Sequence, residues 1–213
     1  MTTPEQLLLA ERIHAALPQT QCTRCGYPDC AAYAHAVATG SAAINQCPPG
    51  GAEGVRRLAN ITGLPVQALN PDNGIESPRS IAIIDEAWCI GCTLCIKACP
   101  TDAILGSNKL MHTIIEPYCT GCELCVPVCP VDCISFESVT GERTGWQAWS
   151  QQEADTALER YTFHSASSKP HKPDGLESHI NQPFPDRIEG SDKKRGVIEA
   201  AMARARAARE DKK

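Results

Sequence analysis

The sequence predicts an α+β protein: a small helical module, then a duplicated unit of short strands and helices, then a tail that is partly helical and largely disordered. Three observations predict it. Twelve of the 13 cysteines fall into three sets of four, and two of those sets repeat one spacing at an offset of 30 residues. The remaining set lies among alanine-rich segments that end at glycines, as helices do. Beyond residue 163 serine, proline, lysine and glycine replace the apolar pattern.

Residues 1–68 form the helical module. Thr3-Pro4-x-Gln6 is a capping box with proline at the first helical position, and Leu7, Leu8, Ile13 and Leu17 follow at helical spacing. Cys30–Thr39 is a second helix stopped by Gly40, and Glu53–Thr62 a third stopped by Gly63. Residues 69–78 are dense in turn formers and read as a linker. Residues 79–140 carry the repeat, which pairs Trp88 with Tyr118, Gly91 with Gly121, Pro100 with Pro130 and Ile104 with Ile134. Ser80–Ile84, Met111–Ile115 and Ile134–Phe136 read as small antiparallel strands. So short a unit holds too little apolar surface to fold unaided, so bound metal must add stability. Residues 141–163 form a tryptophan-containing extension, in which Trp146 and Trp149 are expected to pack on the duplicated unit. The capping box Ser150-x-x-Glu153 opens a helix to about Tyr161. Residues 164–190 read as disordered, and residues 197–210 as a basic helix with a thin apolar face.

The repeated sets are Cys89-x2-Cys92-x2-Cys95-x3-Cys99-Pro100 and Cys119-x2-Cys122-x2-Cys125-x3-Cys129-Pro130. This is a known iron–sulfur pattern, the bacterial ferredoxin run, and it gives residues 79–140 the expectation of a two-cluster, ferredoxin-like (βαβ)2 domain. Three closely spaced cysteines each reach one iron of a cubane, and the cysteine before proline crosses to the other cluster. Cys89, Cys92, Cys95 and Cys129 are therefore assigned to one cluster, and Cys119, Cys122, Cys125 and Cys99 to the other. Gly91 and Gly121 let each loop turn tightly enough to aim backbone N–H groups at the cluster. Zinc has no use for a triplet plus a remote fourth thiolate, twice. The N-terminal set, Cys22-x2-Cys25-x4-Cys30-x16-Cys47, fits either a cubane or an all-cysteine zinc site on spacing alone. Cys133 aligns with Ala103 and reads as a small buried thiol, not a ligand.

Several classes are excluded by what surrounds these sets. The chain of 213 residues is 5 % aromatic, and no apolar run approaches the roughly 18–20 residues of a membrane helix. Met1–Leu17 lacks the pattern of a signal peptide. A soluble cytoplasmic chain follows, where cysteines stay reduced and ligate metal in preference to forming disulfides. The net charge of −5 divides into 9 Lys+Arg against 17 Asp+Glu over residues 1–163, and 11 against 8 beyond. An acidic body steers towards basic partners, and no basic face suggests nucleic acid. His14, His35, His112, His164, His171 and His179 show no ligand-like rhythm. No nucleophile elbow, phosphate loop or dinucleotide fingerprint is present, so a substrate-transforming site is not expected and no catalytic residue is assigned.

The block Ala15–Ala34, with Cys-Thr-Arg-Cys-Gly-Tyr-Pro-Asp-Cys at its centre, and Ile44–Gly51 resemble the iron–sulfur domain of the B subunit of the Rnf/Rsx ion-translocating electron transport complex. The tandem ferredoxin repeat resembles the same polypeptide, so the likeness covers residues ~11–140. It implies that Cys22, Cys25, Cys30 and Cys47 hold a cubane, making three [4Fe–4S] clusters. It implies an electron relay between NADH-side subunits and ferredoxin or another acceptor, with other complex subunits as partners. A place on the cytoplasmic face of a bacterial inner membrane also follows. The chain departs from the family in lacking its usual N-terminal membrane helix, which leaves peripheral association as the expected mode. The alternative expectation is a free polyferredoxin that feeds a cytosolic reductase.

Overall fold

The computed structural model describes residues 2–167. The basic helix expected over 197–210 and most of the stretch 164–190 lie outside those residues.

Helix α1 (Pro4–Ala15) opens at the expected capping box: the Gln6 amide donates to Thr3 Oγ1, and the Thr3 amide donates to Gln6 Oε1. Helix α2 (Cys30–Ala38) is capped by the Asp29 carboxylate, which accepts from the Ala32 amide at 2.7 Å. Helix α3 (Gly51–Thr62) begins two residues before Glu53 and stops at Gly63, whose left-handed φ of 75° ends it. These helices bury Ile13, Leu17, Tyr33, Val37, Ile44, Val55 and Leu58 in one core. Such side chains contribute about 1.5–3 kcal/mol each by leaving water.

The linker is not loose. Its Asn70 amide donates to Asn45 O, Asn73 Nδ2 donates to Arg24 O, and Glu76 accepts from the Ala52 amide at 2.8 Å and from Thr144 Oγ1 at 2.7 Å.

The duplicated unit holds four short strands. β1 (Ser80–Ile84) pairs antiparallel with β4 (Ile134–Ser138), and β2 (Ile104–Leu105) with β3 (Thr113–Ile114). Each sheet therefore takes one strand from each half, and the register pair Ile84–Ile134 has its repeat mate in Ile114–Ile104. The halves also share left-handed backbone at matching non-glycine positions, Thr93 with Glu123 and Asp102 with Asp132. They differ between strands. The first half forms helix α4 (Leu94–Ala98), in which the Lys97 amide donates to Thr93 O. The second half has turns there, because Pro127 stands at the mate of Lys97 and has no N–H to donate. The core here is small: Ile81, Ile84, Ala103, Ile104 and Ile134 around buried cysteines.

Helix α5 (Gly145–Ala148) and helix α6 (Gln151–Ser167) close the described body. Ser150 and Glu153 form the expected capping box, and α6 runs on to Ser167, past Tyr161. The expected packing of both tryptophans on the duplicated unit needs correction. Trp146 packs on α3, with the Arg57 guanidinium 3.7 Å from its ring centre, because Gly54 leaves room for the indole. Trp149 is buried between the two parts: Nε1 donates to Pro18 O at 2.8 Å, and Arg79 lies over its ring at 4.5 Å.

Candidate iron–sulfur sites

Cys22, Cys25, Cys30 and Cys47 line one small cavity, with Thr20, Asp29, Tyr33 and Pro48. The chain reaches this arrangement through left-handed backbone at Gln19, Gln21, Thr23 and Gly26. The buried Gln21 side chain holds the loop to α2: its Oε1 accepts from the Cys30 amide at 2.9 Å, and its Nε2 donates to Gln19 Oε1. Tyr33 donates to Ala43 O at 2.8 Å and accepts from the Gln46 amide, which brings Cys47 back beside the other three.

The duplicated unit encloses two further cavities. One is lined by Cys89, Cys92, Cys95 and Cys129, the other by Cys99, Cys119, Cys122 and Cys125. Each triplet thus shares a cavity with the proline-preceding cysteine of the opposite half, the grouping the spacing calls for. The cradles are backbone-lined. Gly91 and Gly121 have φ of 67° and 68°, and a Cβ on them would come 2.5 Å from the Leu110 amide and 2.4 Å from Ser80 O. Main-chain donors face the sulfurs: the Ala82 amide to Cys119 Sγ at 3.4 Å, and the Ala103 amide to Cys99 Sγ at 3.2 Å.

The chemistry of the donor sets follows from burial. Desolvation pushes Cys30 up to about 12, Cys122 to about 11 and Cys125 to about 12, with neighbouring cysteines adding to each. Cys47 moves well above its ordinary value for the same reasons. Clustered thiols that resist ionisation become good ligands only when a cationic centre compensates them. Among the described residues no three His, Cys, Asp or Glu side chains converge tightly enough to hold a single metal ion. The cysteines instead line cavities, four to each.

Two residues facing the Cys89/Cys92/Cys95/Cys129 cavity went unrecognised in the sequence. His112 is buried, and its Nδ1 lies 3.3 Å from Cys95 Sγ. Cys133, expected to be only a packed thiol, has its Sγ 3.6 Å from Cys129 Sγ. Burial pushes Cys133 up to about 12, so it keeps its proton. Burial opposes a Cys129 thiolate too, but the Val131 and Cys133 amides and the Cys133 side chain outweigh it and hold Cys129 below its usual range. The one sequence signal was the repeat alignment, which sets His112 against Ala82 and Cys133 against Ala103.

The N-terminal and Cys99/Cys119/Cys122/Cys125 cavities adjoin through a buried contact: Thr120 Oγ1 donates to Thr20 O at 3.0 Å. Arg24 and Glu123 pair across the same seam at 2.7 Å. Arg79 donates through Nη2 to Cys119 O at 2.7 Å. From α6, Arg160 donates to Thr101 O and Asp102 O, while Tyr161 donates to Asp29 Oδ2.

Fold and sites define an iron–sulfur protein with a dicluster domain behind a separate N-terminal cysteine module. Residues 82–136 match the family described as 4Fe-4S dicluster domain, and residues 17–49 match the one described as Putative Fe-S cluster. The chain is 58 % identical over 139 residues to the B subunit of the ion-translocating oxidoreductase complex of Azoarcus sp. (strain BH72), covering 65 % of this chain and 76 % of that one. Against the corresponding B subunit of Thiobacillus denitrificans it is 59 % identical over 106 residues, covering 50 % and 56 %. Against that of Alkalilimnicola ehrlichii it is 51 % identical over 151 residues, covering 70 % and 80 %. The chain belongs to the family of B subunits of ion-translocating (Rnf-type) oxidoreductase complexes. Among the described residues no helix is long and apolar enough to cross a membrane.

Proposed function

We propose that this chain is the iron–sulfur electron relay of an Rnf-type complex, with three [4Fe–4S] sites in series. Cys22, Cys25, Cys30 and Cys47 hold the first. Cys99, Cys119, Cys122 and Cys125 hold the second, and Cys89, Cys92, Cys95 and Cys129 the third, within a ferredoxin-like duplication whose second half has turns in place of the helix. When bound, each cluster accepts and returns one electron without a change of ligands. The chain's residues do the rest. Buried cysteines exclude water, backbone amides and glycine turns fix the sulfurs, and the Thr20–Thr120 contact sets the first site against the second. That contact is the observation that carries the serial order.

The third site ends the series. Around it Trp88, Ile90, Leu110 and Met111 are exposed, Ile90 lining the cavity itself and the Leu110 backbone lying against Gly91. This apolar rim is the docking face for ferredoxin or a similar acceptor. Other subunits of the complex are the partners on the N-terminal side, on the cytoplasmic face of a bacterial inner membrane. Anaerobic affinity capture of the tagged chain from separated membrane and soluble fractions tests this. Recovery with membrane subunits and an NADH-oxidising subunit supports it. Recovery from the soluble fraction alone, with a single reductase or nothing, makes it a free polyferredoxin.

A further inference from the structure

The duplication gives the two cysteine cavities matching lining positions, so the positions where they differ are informative. Ile84 and Ile134 line one cavity where Ile114 and Ile104 line the other. Lining mates differ at Ile90/Thr120 and Val131/Thr101, and at two further places that bear on the sulfurs. The cross-strand pair Ala82–Phe136 serves the Cys99/Cys119/Cys122/Cys125 cavity, with the aromatic ring on Phe136. Its repeat mates are His112 and Gly106, where the ring is carried by the opposite partner: Gly106 has no side chain, and the imidazole fills the space against it. The ring volume is conserved between the cavities, but a phenyl in one is an imidazole in the other. The second departure is Cys133, whose mate is Ala103.

Both departures put a side-chain proton donor against a cluster-site sulfur. A thiolate bound to iron has no proton, so across the 3.3 Å from His112 Nδ1 to Cys95 Sγ the nitrogen must donate. The same reasoning makes the Cys133 thiol the donor to Cys129 Sγ at 3.6 Å. In the other cavity the side-chain donors near sulfur are threonine hydroxyls already engaged by carbonyls: Thr120, beside Cys122, donates to Thr20 O at 3.0 Å. Thr101 Oγ1 lies 3.9 Å from Cys99 Sγ, but it already donates to Tyr118 O at 2.8 Å. That site instead has a guanidinium, Arg79, bonded to the Cys119 carbonyl.

We propose that His112 and Cys133 set the reduction potential of the cluster held by Cys89, Cys92, Cys95 and Cys129, by donating hydrogen bonds to Cys95 and Cys129. They are positioning residues and not ligands. Reduction adds one electron and one negative charge, which spreads onto the thiolate sulfurs. A donor aimed at those sulfurs stabilises the reduced form more than the oxidised form and raises the potential. The terminal site is thereby tuned by side-chain donors aimed at its sulfurs, while its neighbour has Arg79 bonded to a main-chain carbonyl.

The proposal rests on the assignment of Cys95 and Cys129 to one cubane, and the test separates the two. Reductive titration of the holoprotein, followed by electron paramagnetic resonance, is performed on wild type, His112→Phe, Cys133→Ala and His112→Asn. His112→Phe keeps the ring volume that Phe136 shows the fold accepts, and Cys133→Ala installs the other half's residue. Each is expected to lower the potential of the same single cluster, the pair together by more than either alone, with iron content and the other two potentials unchanged. His112→Asn, which returns an N–H near the Nδ1 position, is expected to recover most of the shift. Unchanged potentials in fully loaded His112→Phe and Cys133→Ala proteins would overturn the proposal. Cys95→Ser and Cys129→Ser altering the spectra of two different clusters would overturn the assignment beneath it.

Discussion

Trp149 is the most exacting test of how the two cysteine-bearing parts are held in register. Its indole is 6 % exposed and bonds in two directions, through Nε1 to Pro18 O at 2.8 Å and through its face to Arg79 at 4.5 Å. Trp149→Phe removes the N–H and leaves the Pro18 carbonyl buried without its donor, which costs about 1–3 kcal/mol. A phenyl still lies under Arg79, so much of the cation–π contact, about 0.5–1 kcal/mol, survives. The expected loss is therefore ~2 kcal/mol, or roughly 4–8 °C in the unfolding midpoint of a body this size. Trp149→Ala also opens a cavity, and costs about 3–5 kcal/mol. Thermal unfolding of the anaerobic holoprotein at fixed scan rate, followed by cluster absorbance, reads both. A Trp149→Phe midpoint equal to wild type would refute the reading that the indole N–H ties Pro18 to the dicluster side.

Further outcomes follow from the same geometry. Gly121→Ala places a methyl 2.4 Å from Ser80 O on left-handed backbone, so iron and sulfide content should fall by one cluster's share; full loading would contradict the close approach. Cys99→Ser should damage the cluster of Cys119, Cys122 and Cys125 and spare that of Cys89, Cys92 and Cys95, as read by the surviving paramagnetic signals. Thr120→Val breaks the buried bond to Thr20 O, and should slow electron transfer from the first site more than it changes any potential, measured by photoreduction kinetics. Burial holds His14 below its ordinary range, against a smaller opposing pull from Asp29 and a bond with Gln19. The fold therefore favours neutral His14, so its contribution is present above about pH 6.5 and is lost as pH falls through the lowered value. Between pH 7.5 and 5.5, His14→Gln should lose less stability than wild type in paired unfolding curves; equal losses would count against the assignment to His14.

The cysteine spacing made it legible which cysteines share a cavity, because three near thiols plus one remote thiol leave few ways to surround a cubane. Local signals served equally well: the capping boxes at Thr3 and Ser150 and the glycine stop at Gly63 all act within a few residues. What escaped was long-range. Trp146 sits on α3 because Gly54, far away in the chain, leaves space for it. His112 has no neighbour in sequence that hints at Cys95, and only the repeat alignment with Ala82 marks it as different. The second-half helix gives way to turns because one proline removes one donor, a local cause that the strength of the repeat obscured. The contact between the N-terminal and dicluster cavities depends on Thr20 and Thr120, two ordinary residues 100 positions apart.

The central claim is that three cubanes occupy three cysteine cavities in one body. Iron, acid-labile sulfide and zinc analysis of the anaerobically purified full chain tests it most directly. About twelve iron and twelve sulfide per chain are expected, four of each per cluster, with no zinc. About eight iron with one zinc would contradict it, leaving the N-terminal module structural and the relay two clusters long.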